Sequence, residues 1–552
     1  VRLIAFNDLH GHLEPGDNSI AVTDAKDPTR SVSLRAGGVA YLATAVRRLR
    51  AEQPASVLIS AGDLVGASPL ASALFHDEPT IEVMNALGLD LNAAGNHEFD
   101  HGVAELRRLI AGGCAATPRG VAVSCAPPGG RYEGARFPFL AANVEDSEGR
   151  LLLPAYVVRE IGGVRIGFIG AVTRATPGIV MPSGIRGWRF TAEAPALNRF
   201  ARELKAAGVN TIVAVVHEGG ETDGGFNDCD NPRGAIFDIV RSLDAAIDVV
   251  LSAHTHRGYS CTIDGRVVIQ GASFGRLLSV VDMSIDRASG AVLRAQTRAR
   301  NVPVVNGLGN GASDARFPPY PADAQIAALV EHYRRSVAPL ADRPVGRIAA
   351  TFERLPADQG DSPAGRLIAD AHLAATSGNG AQIAFTNTGG IRSNLRPRQP
   401  DGVVTYGDVF TMQPFGNALV TLTFSGAQLK ALLESQWRAN GQPHFLQPSS
   451  TLNYAWRDDA PAGSRVIGES ITVEGRPWQR DARYRVTVNS YLAAGGDRFR
   501  LFLDGTEATG GPLDVDALAD YLRRRSAQQP LPVDTQPRIS RRSAAAAAPP
   551  VR

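Results

Sequence analysis

Apolar residues in the first 270 positions gather into short dense runs, and several of these runs end on a residue with metal-ligating chemistry. The runs Arg2–Asn7, Ser56–Gly62, Leu91–Gly95, Thr211–Val216 and Ile247–Ala253 are too short for helices and carry many branched residues, so they predict buried strands. Between them, Gly38–Glu52 sets Val39, Leu42, Val46 and Leu49 at helical spacing, and Ile81–Leu87 predicts a second helix. Further strands are expected at Val164–Val172, Val249–Ser252 and Val267–Gly271. Strand alternating with helix predicts a layered α/β domain over residues 1–300.

The pattern changes after residue 300. A stretch rich in Gly, Asn and Pro, Asn301–Pro321, leads into Ala322–Leu340, where Ile326, Leu329, Val330 and Tyr333 share one helical face. Residues 301–342 therefore read as a linker containing a helix. A second α/β domain is expected over 343–540, with helices at Pro363–Ala375 and Gly426–Arg438. Its strands are expected at Ile383–Thr386, Ala418–Phe424, Ser470–Val473 and Tyr484–Asn489. The tail, 541–552, carries a five-Ala run and Pro549-Pro550 and is expected to be disordered.

At 552 residues the chain exceeds one ordinary core, in keeping with two domains. A hydrophobic content of 44% and a charged content of 20% describe a globular protein. The formal net charge of +2 lacks the basic excess of a protein that binds nucleic-acid polymers through their phosphates, so the expected partner is a small molecule. No long uncharged apolar run predicts a membrane span. The first strand begins almost at residue 1 without an initiator Met, so any signal peptide is expected to have been removed before this numbering starts, and export rests on other features. Four cysteines contain no CxxC pair, and the simplest pairing is local, Cys114 with Cys125 and Cys229 with Cys261. Such disulfides suit a secreted, periplasmic or cell-surface location, four separate thiols being the other reading.

The candidate chemistry lies at the ends of the runs. Asp8, His10, Asp63, Asn96, His217, His254 and His256 mix carboxylate, imidazole and carbonyl oxygen, a donor set that accepts Zn, Mn, Co or Fe. In open α/β sheets, ligands gather beyond the carboxyl ends of the strands, so residues far apart in sequence can converge. Asp63 has two carboxylate oxygens and is placed to bridge two divalent cations. Asp8, His10 and His256 then complete one site, and Asn96, His217 and His254 the other. Two metals about 3.5–4 Å apart acidify a water and neutralise charge in an in-line displacement at phosphorus. His97 follows Asn96 on what reads as extended backbone, where neighbouring side chains point apart, so it is placed beside the metals as a non-ligand. Asp100 is positioned to orient it for acid catalysis. Asp100 also reads as the N-cap of a helix Gly102–Ile110.

The blocks Asn7-Asp8-Leu9-His10-Gly11-His12, Gly62-Asp63, Gly95-Asn96-His97-Glu98-Phe99-Asp100, His217-Glu218-Gly219 and His254-Thr255-His256 resemble the calcineurin-like metallophosphoesterase signature. Their form is that of the 5′-nucleotidase family, which includes periplasmic 5′-nucleotidase/UDP-sugar hydrolases and animal ecto-5′-nucleotidase. The resemblance implies a four-layer β-sandwich flanked by helices, a linker helix and a second α/β substrate-binding domain. It also implies that the seven residues are the metal ligands and that His97 and Asp100 form a catalytic dyad.

The resemblance continues in the second domain. Asn387-Thr388-Gly389-Gly390-Ile391-Arg392 resembles the family loop whose Asn and Arg contact substrate. Gln413-Pro414-Phe415-Gly416-Asn417 resembles the segment carrying one base-stacking aromatic and an Asn near the base. Asn489-Ser490-Tyr491 through Gly495-Gly496-Asp497 resembles the segment with the second aromatic and an Asp that contacts ribose. Two aromatic rings stacked on a base contribute about 1–3 kcal/mol each without reading its identity. An Arg in a Gly-rich loop can hold a phosphate oxygen. Thr388 stands where the family has Gly, and Tyr491 replaces a Phe. Of a pair of phosphate-binding arginines in some members, Arg354 matches one and Asp358 falls at the other. The expected function is hydrolysis of nucleoside 5′-monophosphates, with 2′,3′-cyclic nucleotides, UDP-sugars or a thiosulfate-linked ester as alternatives on the same metals. A non-catalytic surface binding protein is the alternative of another class. Closure about Ala322–Leu340 is the expected motion, because the motifs are split between the two domains.

Overall fold

The computed structural model describes residues 1–16, 18–24, 27, 29–115, 123–125, 130–308, 314–355, 360–437 and 441–542. Asp358, the expected helix end at Arg438 and the tail from residue 543 lie outside the described residues. The chain forms two compact units, Val1–Val337 and Ala338–Arg552.

The first unit is built on two six-stranded sheets. One runs in the order Arg298–Pro303, Leu277–Asp282, Arg2–Phe6, Ser56–Ser60, Leu91–Ala93 and Phe139–Leu140. Its last four strands are parallel, and the first two add an antiparallel edge. The other runs Gly258–Ile263, Arg266–Gly271, Val249–Ser252, Thr211–His217, Val164–Val172 and Tyr156–Ile161, with four parallel strands between antiparallel edges.

Strand periodicity of two sorts side chains to opposite faces. Leu3, Ala5, Val57 and Ile59 meet Phe168, Val213, Val215 and Leu251 in a core between the sheets. Ile4, Phe6 and Leu58 point the other way, onto Leu42, Val46 and Leu49 of the helix Val39–Glu52 and Met84 of the helix Glu78–Leu87. On the far side Ile212, Ala214 and Val250 pack against Leu197, Phe200 and Leu204 of the helix Glu193–Ala206. Helix, sheet, sheet and helix make the four layers expected. Two disulfides, Cys114–Cys125 and Cys229–Cys261, pair as expected. The first sheet extends past residue 300, because Arg298–Pro303 pairs with Leu277–Asp282. The helix after it spans Ala324–Ala341, with Ile326, Val330 and Tyr333 buried, and the Tyr333 hydroxyl donates to Glu82 at 2.6 Å.

The second unit holds a mixed five-stranded sheet in the order Leu446–Pro448, Ile383–Asn387, Arg483–Asn489, Ala418–Ser425 and Thr506–Leu513. A four-stranded sheet containing Leu452–Trp456 lies within the same unit. Phe385, Phe424, Tyr454, Trp456 and Phe502 make its core rich in aromatic rings. Ser425 and Gln428 close a reciprocal capping box on the helix Gly426–Glu434, which fixes where strand turns to helix. The expected strand Ser470–Val473 begins instead as a 3-10 turn, Gly468–Ser470, and only Thr472–Val473 pairs. Among the described residues, no helix is long and apolar enough to cross a membrane.

Candidate metal centre and recognition cluster

Parallel strands deliver their carboxyl ends to one edge, and the seven residues named above follow from that alignment. Asp8 and His10 lie just past Arg2–Phe6, Asp63 past Ser56–Ser60, and Asn96 past Leu91–Ala93. His217 ends its own strand, and His254 and His256 follow Val249–Ser252. The loops are bonded to one another: Asp8 N–H donates to Gly62 O, His10 N–H to Asp63 O and Gly11 N–H to Leu64 O. This clamping holds backbone that L residues seldom adopt. Asp8, His10, Asp63, His254 and His256 all have φ between 49° and 73°. Such conformations each cost about 1–3 kcal/mol and persist only where the surroundings over-determine them. Gly95 has no alternative, since a Cβ there would enter the Asp63 carboxylate.

The donor atoms converge. Asp8, His10 and His256 present ligand atoms within 4.8 Å of one another, as do Asp63, His217 and His254, and His10, Asp63 and His97. His10 Nε2 faces His256 Nε2 at 3.1 Å, an approach that a shared proton or a cation makes favourable. His256 Nε2 lies 3.3 Å from Asp8 Oδ1, and His217 Nε2 lies 3.0 Å from Asp63 Oδ2. Asp63 Oδ2 is also 3.7 Å from His10, placing this carboxylate between the two groups.

Among the described residues, four of these atoms, Asp8 Oδ1, Asp63 Oδ2, Asn96 Oδ1 and His217 Nε2, are buried without a hydrogen bond of ordinary geometry, His217 Nε2 facing Asp63 Oδ2 and His256 Nε2 facing Asp8 Oδ1 only as close ion-pair approaches. Leaving such groups unpaired costs about 1–3 kcal/mol each. Asp8 gathers with His10 and His256, and Asp63 with His217 and His254, each group close enough to share an ion, so the arrangement fits divalent cations. The remaining atoms are pinned in the manner of metal sites: His10 Nδ1–H donates to Gly66 O and His217 Nδ1–H to Ala61 O, both at 2.8 Å. Burial disfavours a charged His217, but Asp63 and Asp8 outweigh it and push the ring up to about 10. The field that draws a proton there draws a cation equally. Burial first, and then the neighbouring charge of His217, hold His254 below its usual range, keeping its lone pair available.

Two residues outside the expected set support this centre. Asn7 donates to Asp8 Oδ2 at 2.6 Å and to Ala272 O, and accepts from Gly271 N–H. Glu98 accepts from the amides of Asp63, Leu64 and Gly95 at 2.6–2.9 Å. Both adjoin motif residues in sequence, the only signal that marked them.

His97 Nδ1 meets Asp100 Oδ2 at 2.7 Å, forming the expected pair. The local backbone differs from the expectation. Asn96 is helical and His97–Phe99 is a 3-10 turn, so it is a tight turn and not an extended segment that separates the two side chains. Asp100 is not the N-cap of the following helix; His101 occupies that position before Gly102–Ala111, and the Asp100 carboxylate is spent on His97.

Within the second unit, Asn387, Tyr491 and Asp497 come together. Asp497 Oδ1 accepts from the Tyr491 hydroxyl at 2.9 Å, and Asp497 Oδ2 from Asn387 Nδ2 at 2.8 Å. A Cβ on Gly496 would come within 2.5 Å of the Tyr491 ring, so the glycine lets the ring lie over the turn. Arg392 stands over the Phe415 ring at 5.9 Å. The backbone carbonyl of Arg392 also accepts from Arg354 Nη1 at 3.5 Å. Asn417 is oriented by Ser490, inside the quoted motif, and by Asp514, which neither periodicity nor motif had singled out. Burial pushes the Asp514 carboxyl up to about 7 despite those bonds.

The sequence matches the calcineurin-like phosphoesterase family over residues 1–258 and the 5′-nucleotidase C-terminal domain over residues 343–504. It is 32% identical over 542 residues to a Bacillus subtilis protein named Endonuclease YhcR, covering 98% of this chain and 41% of that protein. The chain thus spans less than half the length of that relative. It is 30% identical to Cell wall protein Lmo0130 of Listeria monocytogenes, over 96% of this chain and 67% of the relative. The crystal structure of a 5′-nucleotidase precursor from Thermus thermophilus superposes with a TM-score of 0.76 at 25% identity, covering 98% of this chain and 99% of that one.

Proposed function

The chain belongs to the 5′-nucleotidase family of calcineurin-like phosphoesterases, and on that premise we propose that it hydrolyses nucleoside 5′-monophosphates, with di- and triphosphates open to the same chemistry. The observation that carries this reading is the set of buried, unpaired donor atoms on Asp8, Asp63, Asn96 and His217, beside a His–Asp pair. Nothing in binding alone calls for that pair, which argues against a surface protein without turnover.

Asp8, His10 and His256 would hold one divalent ion and Asn96, His217 and His254 a second, with Asp63 shared between them. When bound, such ions neutralise phosphoryl charge and acidify the attacking water. His97, kept in register by Asp100, protonates the leaving 5′-oxygen as the P–O bond breaks and the water oxygen bonds to phosphorus. Phe415 and Tyr491 stack on the base, Asp497 accepts from the ribose, and Asn387, Asn417 and Arg392 complete the contacts. The two disulfides suit an oxidising compartment, so the protein acts outside the cytosol.

Phosphate release from AMP, UMP, 2′,3′-cyclic AMP, UDP-glucose and a polynucleotide, each with Mn, Zn or Co, tests this reading. The 5′-monophosphates should give the highest kcat/KM. Preferred cleavage of the polynucleotide, as the name of the Bacillus subtilis relative suggests for that protein, would replace the substrate assignment. The absence of metal-dependent release from every substrate would refute the hydrolase.

A further inference from the structure

His444 belongs to no motif, yet it closes the ring of donors around Asp497. Its Nε2 lies 3.3 Å from Asp497 Oδ2. The placement is fixed on two other sides. The imidazole stacks on Phe499 with ring centres 5.9 Å apart and planes 24° from parallel, and Phe499 is buried against Phe502. The His444 amide donates to Gln436 O at 2.6 Å, while the Gln436 side chain accepts from Leu446 N–H and donates to Leu433 O. The loop carrying His444 is therefore tied to the helix Gly426–Glu434 and the strand Leu446–Pro448 on either side of it.

A carboxylate offers about four acceptor positions. On Asp497, Asn387 and His444 take both positions of Oδ2, and Tyr491 takes one of Oδ1. The Tyr491 hydroxyl also accepts from Asp497 N–H at 2.8 Å, so its own proton is directed to Oδ1. Asn387 is oriented in turn, its Oδ1 accepting from Asn489 Nδ2 at 3.1 Å. Among the described residues one acceptor position remains, on Oδ1, enough for a single ligand hydroxyl. Asp497 is held for this in a left-handed conformation, φ 52°. Burial works against its charge, but the contacts with His444, Asn387 and Tyr491 together outweigh burial and keep the carboxyl below its usual range, accepting.

We propose that His444 is a positioning residue that locks Asp497 Oδ2, so that Oδ1 receives one ribose hydroxyl and the protein prefers ribonucleotides to the deoxynucleotide lacking that hydroxyl. The inference rests on the nucleotide reading above and deepens it. Without His444, Oδ2 regains a free lone pair and the carboxylate turns away from its single useful orientation. Gln at 444 keeps an amide donor at nearly the same reach.

The test compares kcat and KM for AMP, 2′-deoxy-AMP, 3′-deoxy-AMP and p-nitrophenyl phosphate in the full chain, its His444→Ala variant and its His444→Gln variant. His444→Ala should raise KM for AMP about tenfold, the loss of one hydrogen bond to a charged group, with kcat changed by less than about twofold. His444→Gln should recover KM to within about threefold. For the deoxynucleotide that lacks the contacting hydroxyl, the Ala variant and the parent should differ by less than about twofold. Equal KM shifts for all three nucleotides, a fall in kcat matching the rise in KM, or no recovery with Gln would overturn the proposal. A parent protein that treats AMP no better than p-nitrophenyl phosphate would defeat the nucleotide reading itself, and the inference with it.

Discussion

The proposed metal centre and the proposed nucleoside cluster solve opposite problems. In the first unit, Asp8 Oδ1, Asp63 Oδ2, Asn96 Oδ1 and His217 Nε2 are buried without a hydrogen bond of ordinary geometry among the described residues, and Asp8 and Asp63 sit on left-handed backbone. In the second, Asp497 is satisfied by Tyr491, Asn387 and His444, and Asn417 by Asp514 and Ser490. The first arrangement is energetically incomplete without a cation, so folding stores a binding free energy there. The second is complete as it stands and offers a substrate only the leftover acceptor positions. Chemistry should therefore fail when the first is disturbed, and discrimination between substrates when the second is.

The largest effect that sharpens this contrast is on kcat. His97→Ala should lower kcat about 10²–10⁴-fold, the range of a lost general acid, while KM for AMP changes little. Asp100→Asn should reproduce a fraction of that loss, since it keeps the position but not the charge that orients the ring. A loss confined to KM would place His97 in binding instead.

Next comes the support beneath the ligands. Asn7→Ala removes the donor to Asp8 Oδ2 and should weaken Mn binding about 10–100-fold in a titration of the stripped protein. The same titration with Asn417→Ala should match the parent. A weakened Mn affinity in that second variant would break the division of labour.

A smaller effect belongs to the aromatic pair. Phe415→Ala and Tyr491→Ala should each raise KM for AMP about tenfold, one stacking contact, against a minor change for p-nitrophenyl phosphate. Equal shifts for both substrates would remove the base from the account.

The smallest is a stability effect confined to the second unit. Burial raises Asp514 to about 7, above the 3.8 of an ordinary carboxyl, so the folded state binds this proton more tightly than the unfolded one. Its stabilisation is full below about pH 4 and is lost as pH rises through 7. Asp514→Asn should lack that loss, and melting curves from pH 5 to 8 should show the variant gaining on the parent by about 2–4 °C per kcal/mol. A constant difference across that range would show the carboxyl already ionised at pH 5.

The contrast also explains what could be read before the fold was known. Each proposed metal ligand sits next to the strand that delivers it, so a local apolar run followed by Asp, Asn or His marked the cluster. The dyad was legible as residue types, but its geometry was not, because the 3-10 turn His97–Phe99 follows from tertiary bonds such as His97 N–H to Asp63 Oδ1. Edge strands such as Arg298–Pro303 escaped notice because exposed residues, here Arg298 and Arg300, interrupt the apolar run. In the second unit His444 meets Asp497 across 53 residues and Asn417 meets Asp514 across 97. Such pairs are made by loops that only the assembled sheet brings together, and no periodicity announces them.

The central claim is that the strand-tip cluster holds two catalytic cations. The most direct test strips the protein with a chelator, returns Mn stepwise, and measures bound metal per chain alongside phosphate release from AMP. The account predicts negligible release from the stripped protein and activity that climbs with occupancy towards two ions per chain. Full turnover with no bound metal, or two bound ions with no release, would contradict it.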